Sequence, residues 1–161
     1  MRKLFIALLM AASLSGMAQG LTKVYDEKTE PMGQIDAAVK TARESGRHII
    51  CQVGGNWCRW CLMFADFITK DKEISQTITD NYVYIHVNYP VDGNKESAGS
   101  KQLMKRLHNA GRLGFPALVV LDANGKVLHQ QDSSFLEEGE GYSRDKVLRF
   151  LNAWTHKSLS L

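Results

Sequence analysis

The chain has 161 residues, 20 Lys and Arg against 17 Asp and Glu, and three cysteines. That length suits one domain with a sizeable core. The near balance of charge excludes the strongly basic surface of a nucleic-acid or membrane-surface binder, and three cysteines are too few for the disulfide framework that staples small secreted domains.

The positive start Met1-Arg2-Lys3 leads into an apolar and small-residue run from Leu4 to Leu14, with a small-residue exit near Gly16-Met17-Ala18. This is the pattern of a secretory signal peptide over residues 1–18, Ala18 being the last residue removed. The run is shorter than the roughly 20 apolar residues of a membrane span. No cysteine precedes Cys51 to take a lipid, and loss of Arg2 and Lys3 lowers the net charge from +3 to +1. The expectation is a periplasmic or secreted, soluble, monomeric protein, with an irregular segment over 19–30 and one domain over 31–161.

Ile35, Ala38, Val39 and Ala42 recur at helical spacing and predict a helix over 32–44, stopped at Ser45-Gly46. His48 to Val53 is a short Ile- and Val-rich run before Gly54-Gly55 and reads as a buried strand, with 54–57 as the loop leaving it. From Cys58, the apolar positions Cys61, Leu62, Phe64, Ala65 and Ile68 predict a helix to about Thr69, followed by a second helical piece over 72–79. Tyr82 to Asn88 alternates and favours a strand. The polar stretch 90–99 reads as a loop. Leu103, Met104, Leu107 and Ala110 mark a further helix ended by Gly111. The apolar run 117–121, the turn Asp122-Ala123-Asn124-Gly125 and residues 126–130 predict an antiparallel hairpin. After a polar loop over 131–141, Ser143 is placed to cap a last helix reaching Trp154. No repeat or low-complexity tract interrupts this order, which predicts an α/β sandwich with a mixed sheet and helices on both faces.

The chemistry concentrates at Cys58 and Cys61. Two side chains three apart on a helix share a face at about 5 to 6 Å, within disulfide reach. The position after a strand and loop puts Cys58 at a helix amino terminus, where free N–H groups favour a thiolate, and Arg59 adds positive charge in the same sense. Cys58 is expected to meet solvent and attack, and Cys61, one turn inside, to be shielded and resolve the mixed disulfide. Trp57 offers an apolar platform for a substrate chain, and Trp60 lies where it shapes access or redox poise. By spacing alone, the pair allows either redox chemistry or metal.

Gly54-Gly55-Asn56-Trp57-Cys58-Arg59-Trp60-Cys61 after a buried strand resembles the active-site segment of the thioredoxin superfamily, more narrowly its exported bacterial members with a Trp-Cys-x-Trp-Cys motif. Gly114-Phe115-Pro116 before the strand 117–121 resembles the family's Gly-x-Pro element. The resemblance implies a thioredoxin-like three-layer sandwich, a redox-active disulfide between Cys58 and Cys61, a cis-proline at Pro116, and a Phe115 backbone that pairs with a substrate chain. It implies protein disulfides as substrates and no cofactor. The family often carries a buried acid six positions ahead of the first cysteine; here Gln52 stands there and cannot titrate, so another base or water must serve. Neither is Arg59-Trp60 the pair found in the best-known members.

Cys51 reads as an inert buried cysteine. The histidines His48, His86, His108, His129 and His156 are scattered through different elements, and Glu137, Glu138 and Glu140 form a solvated acidic loop. A structural zinc site is the weaker alternative, because the second pair of ligands that tetrahedral zinc needs is missing. A binding or assembly module that keeps the fold without turnover is the other. A reductase role recharged by a membrane electron donor or other redox partner is preferred, since the chain lacks the large helical insertion of dedicated disulfide-forming oxidants.

Overall fold

The computed structural model describes residues 20–92 and 95–160; the expected signal peptide over 1–18 lies outside them. Among the described residues, the first regular element is α1 (Pro31–Ser45). Its start is set by Pro31 and by Glu30, whose carboxylate accepts from the Gly33 N–H, and its end by Gly46 in the left-handed region at φ 67°. A strand buried at every position, β1 (His48–Gly54), follows. Then come α2 (Arg59–Lys70), α3 (Lys72–Asn81) and β2 (Tyr82–Asn88). Asp71 ends α2 and caps α3, its carboxylate accepting from the Glu73 and Ile74 N–H groups.

The stretch 90–99, expected to be a loop, carries a small hairpin of β3 (Val91–Asp92) and β4 (Lys95–Glu96), and α4 (Ala98–Arg106) begins inside it. Ser97 starts that helix by accepting from the Ser100 N–H. The helix does not reach Ala110: His108 and Asn109 both take positive φ, and Ala110–Leu113 is a separate 3-10 turn. Asn and His are among the residues that tolerate this left-handed geometry best, and apolar spacing alone does not register such a break.

Strands β5 (Ala117–Leu121) and β6 (Val127–Asp132) form the expected hairpin, its turn closed by the Gly125 N–H donating to the Asp122 carbonyl at 3.0 Å. The stretch 131–141 is more ordered than expected. It holds the end of β6, a 3-10 turn at Ser133–Leu136, and a hairpin of β7 (Glu137–Glu138) and β8 (Gly141–Tyr142). Two-residue strands have no periodicity to read. The last helices are α5 (Arg144–Ala153) and α6 (His156–Leu159); Ser143 occupies the cap position of α5, but its side chain makes no capping hydrogen bond.

The main sheet runs β2-β1-β5-β6, with β1 parallel to β2 and antiparallel to β5, and β5 antiparallel to β6. Side chains alternate across it. Ile49, Cys51, Val53, Val119 and Leu121 pack with Ile35, Ala42, Leu103 and Leu107 of α1 and the α4 region. Ile50, Leu118 and Val120 pack on the other face with Phe64, Ile74, Val147 and Leu151 of α2, α3 and α5. This is the expected three-layer sandwich with a mixed sheet. Among the described residues, no helix is long and apolar enough to cross a membrane.

Candidate active site around Cys58 and Cys61

The carboxyl end of β1 delivers the chain to the site. Helix α2 begins at Arg59 rather than at Cys58, and Cys58 is its cap, with extended backbone. Cys58 and Cys61 form a disulfide, with Cα atoms 5.2 Å apart. The Cys61 N–H donates to Cys58 Sγ at 3.2 Å, so the free amide of the first helical turn points at the sulfur expected to carry negative charge. Cys58 keeps 9% of its surface exposed and Cys61 none. The difference has the expected sign but is small, because both sulfurs lie in a cluster with Leu62 and Tyr25, flanked by Leu21, Val24, Trp60 and Phe115.

The other residues singled out from sequence divide between two sides. Trp57 is 50% exposed and meets the Phe115 ring edge-on at 5.4 Å. Phe115 leans on Tyr89, and the Phe115–Pro116 peptide is cis, with Pro116 buried. Trp60 turns toward the β7–β8 hairpin, meeting Tyr142 edge-on at 5.6 Å, and its carbonyl accepts from the Tyr142 hydroxyl at 3.1 Å. Arg59 is exposed and borders an open groove of about 660 Å³ lined by Leu21, Met63, Phe67 and Tyr142. The two tryptophans therefore do not form one platform.

Gln52, at the position where the resemblance leads one to look for an acid, is fully buried. Its amide donates both hydrogens, one to the Tyr25 hydroxyl at 2.7 Å and one to the Cys61 carbonyl at 2.9 Å. Its oxygen accepts from the Tyr84 hydroxyl at 2.6 Å. Burial pushes the Tyr25 and Tyr84 hydroxyls well above the ordinary tyrosine range, so both stay protonated. His86, opposite Gln52 in the parallel register, packs edge-on against both tyrosine rings at 5.5 Å. Its buried Nε2 lacks a hydrogen-bond partner, and desolvation lowers the imidazole from 6.5 to about 4. Cys51 lies on the opposite face of the sheet, fully buried, its thiol pushed up to about 12 by that burial. No cluster of three or more His, Cys, Asp or Glu side chains arranged for a metal occurs among the described residues.

Sequence reasoning missed Tyr25 and assigned Asn56 no role. Asn56 Oδ1 accepts from the Val24 and Tyr25 N–H groups, both at 3.1 Å, while its Nδ2 donates to the Tyr25 carbonyl at 2.9 Å and to Glu27 Oε1 at 3.0 Å. One amide thus straps the segment before α1 across the dithiol. The only sequence signal was Tyr25 itself, the one aromatic residue of the lead-in over 19–30.

Comparison with known proteins agrees with this architecture. The family model of the thioredoxin-like domain matches residues 35–134. The chain is 30% identical over 77 residues to the disulfide bond reductase DsbH of Chlamydia pneumoniae, a stretch covering 47% of this chain and 45% of that protein, so the chain matches about half the length of that curated relative. Among solved structures, a disulphide isomerase from Xylella fastidiosa Temecula1 superimposes with a TM-score of 0.69 at 20% identity, covering 83% of this chain and 97% of the other. A DsbH oxidoreductase gives 0.50 at 23% identity over 72% and 78%. At these identities, the two solved structures speak for the fold. The family model covers most of the chain, including the dithiol and the Gly-Phe-Pro element, and the chain belongs to the thioredoxin-like domain family.

Proposed function

We propose that this protein is a thiol-disulfide oxidoreductase acting on protein disulfides outside the cytoplasm, with Cys58 as nucleophile and Cys61 as resolving thiol. The observation that carries the reading is the Cys58–Cys61 pair at the cap of α2, with the Cys61 N–H directed at the residually exposed Cys58 sulfur. In the reduced enzyme, the Cys58 thiolate attacks one sulfur of a substrate disulfide. That disulfide breaks, one substrate sulfur leaves as thiolate, and a mixed disulfide joins Cys58 to the other. Cys61 then attacks Cys58 Sγ, the second substrate sulfur leaves, and the Cys61 proton ends on a departing thiolate. Two electrons have passed to the substrate, and a partner dithiol must restore the enzyme.

The exposed Trp57 with Phe115 and Pro116 would receive the substrate chain beside Cys58, and Trp60 would close the other side. Similarity to a disulfide bond reductase supports the reducing direction; a membrane electron donor would be the partner that resets the dithiol. The charged start and apolar run of residues 1–18 support export. The test is reduction of insulin disulfides by the wild type and by Cys58→Ser, together with the reduction potential of the couple. Activity lost in the variant supports the assignment, and equal activity in both refutes it.

A further inference from the structure

We infer that Tyr25, strapped over the dithiol by Asn56, is the hydrogen-bond donor that stabilises the negative charge forming on Cys61 as it resolves the mixed disulfide. The inference rests on the dithiol exchange proposed above and names the group that serves where the chain has Gln52 instead of an acid.

The geometry argues by elimination. Cys61 is fully buried and Tyr25 is 5% exposed, so a thiolate generated there is cut off from water and needs a donor. Both hydrogens of the Gln52 amide are committed, to Tyr25 and to the Cys61 carbonyl, and the Tyr84 hydroxyl is committed to Gln52 Oε1. The Tyr25 oxygen accepts from Gln52, which leaves the phenol's own hydrogen to give. Tyr25 and Cys61 share one buried cluster. A Cβ built on Gly54 would stand 2.9 Å from Tyr25 Oη and still closer to Cys61 Sγ, so the oxygen and the sulfur both border a single point that only glycine leaves empty.

The titratable groups around this pair are Cys58 on the α2 cap, Tyr84 and His86 on β2, and Tyr142 on β8. Cys58 is covalently engaged in the mixed disulfide, and the tyrosines remain protonated at neutral pH. His86 faces the Tyr25 ring and is neutral above about pH 4. The phenol does not take the Cys61 proton; it donates a hydrogen bond to the sulfur that attacks once that proton has passed to water.

A hydrogen bond to a charged group is worth about one unit of the sulfur's acidity. A less acidic thiol is less often ionised, by about tenfold per unit, but intrinsically more nucleophilic, by about threefold per unit. Tyr25→Phe, which keeps the ring, should therefore raise the midpoint of the pH–rate profile of resolution by about one unit. Resolution should be about threefold slower below the midpoint and about threefold faster above it. The assay is stopped-flow reaction of the reduced full chain with 5,5′-dithiobis(2-nitrobenzoate). Release of the first thionitrobenzoate reports Cys58 attack, and release of the second reports resolution by Cys61. Asn56→Ala, which frees the strap, should move the second phase in the same direction. A wild-type midpoint in Tyr25→Phe, or one uniform rate factor at every pH, overturns the inference. A second release that persists in Cys61→Ser would instead overturn the dithiol reading on which it rests.

Discussion

Replacing Gly54 with alanine places one methyl group against the sulfur of Cys61. The added carbon would lie 2.9 Å from Tyr25 Oη and 3.3 Å from Cys61 Cβ, with Cys61 Sγ nearer than either, and nothing there is a loose side-chain end. Overpacking of this kind costs about 1–3 kcal/mol, offset by about 0.4–1 kcal/mol because alanine restricts the unfolded chain more than glycine does. A net loss of about 1–2 kcal/mol is expected for the oxidised protein. The cost depends on redox state. In the disulfide, Cys61 Sγ is tied to Cys58, whereas a reduced Cys61 side chain is free to turn to another rotamer. If about 1.4 kcal/mol of the clash is relieved on reduction, the couple becomes more oxidising by about 30 mV. Urea denaturation with and without reductant measures the two stabilities, and equilibration against thiol redox buffers measures the potential independently; the two must close as a cycle. Equal destabilisation of both forms with an unchanged potential would refute the reasoning.

Further outcomes can be checked in the same way. His86 has its folded-state value lowered to about 4 from 6.5, so between those values the unfolded chain binds the proton first and stability falls as pH drops. The loss should total about 3 kcal/mol by pH 4; in His86→Gln that slope should disappear between pH 7 and 4, whereas an unchanged slope would assign it to other groups. Tyr82→Phe removes the hydroxyl that donates to the Leu151 carbonyl at 2.5 Å and ties β2 to α5. A loss of about 1–2 kcal/mol in the denaturation free energy is expected. Phe64→Ala, at a site 2% exposed and edge-on to Tyr142 at 4.7 Å, should cost about 3–5 kcal/mol by the same measurement and loosen the β7–β8 hairpin beside Trp60.

The two cysteines, their position after a buried strand, the helix that follows and the Gly-Phe-Pro turn were legible in sequence because each is a local pattern. Period 3.6 marks Cys61, Leu62, Ala65 and Ile68 as one helical face, and the chain itself carries that period. A short Ile- and Val-rich run marked β1 as a buried strand and a continuous apolar run marked β5 as a central one, for the same reason. The two-residue hairpins and the left-handed break at His108 and Asn109 were not legible, since they are too short to repeat anything.

What only the tertiary structure decided is what surrounds the sulfurs. Tyr25 reaches the site across a separation of 27 residues to Gln52, and Asn56 holds its backbone across 31. Hydrogen bonds between segments that far apart leave no periodic trace, because they depend on where the sheet and α2 bring the two pieces together. The same holds for the two tryptophans of the motif, which the helix turn sends to opposite sides, one to Phe115 and one to Tyr142. Local sequence determined which sulfur stands at the end of the helix; packing determined that both are nearly enclosed and that a phenol, not a carboxylate, stands beside the inner one.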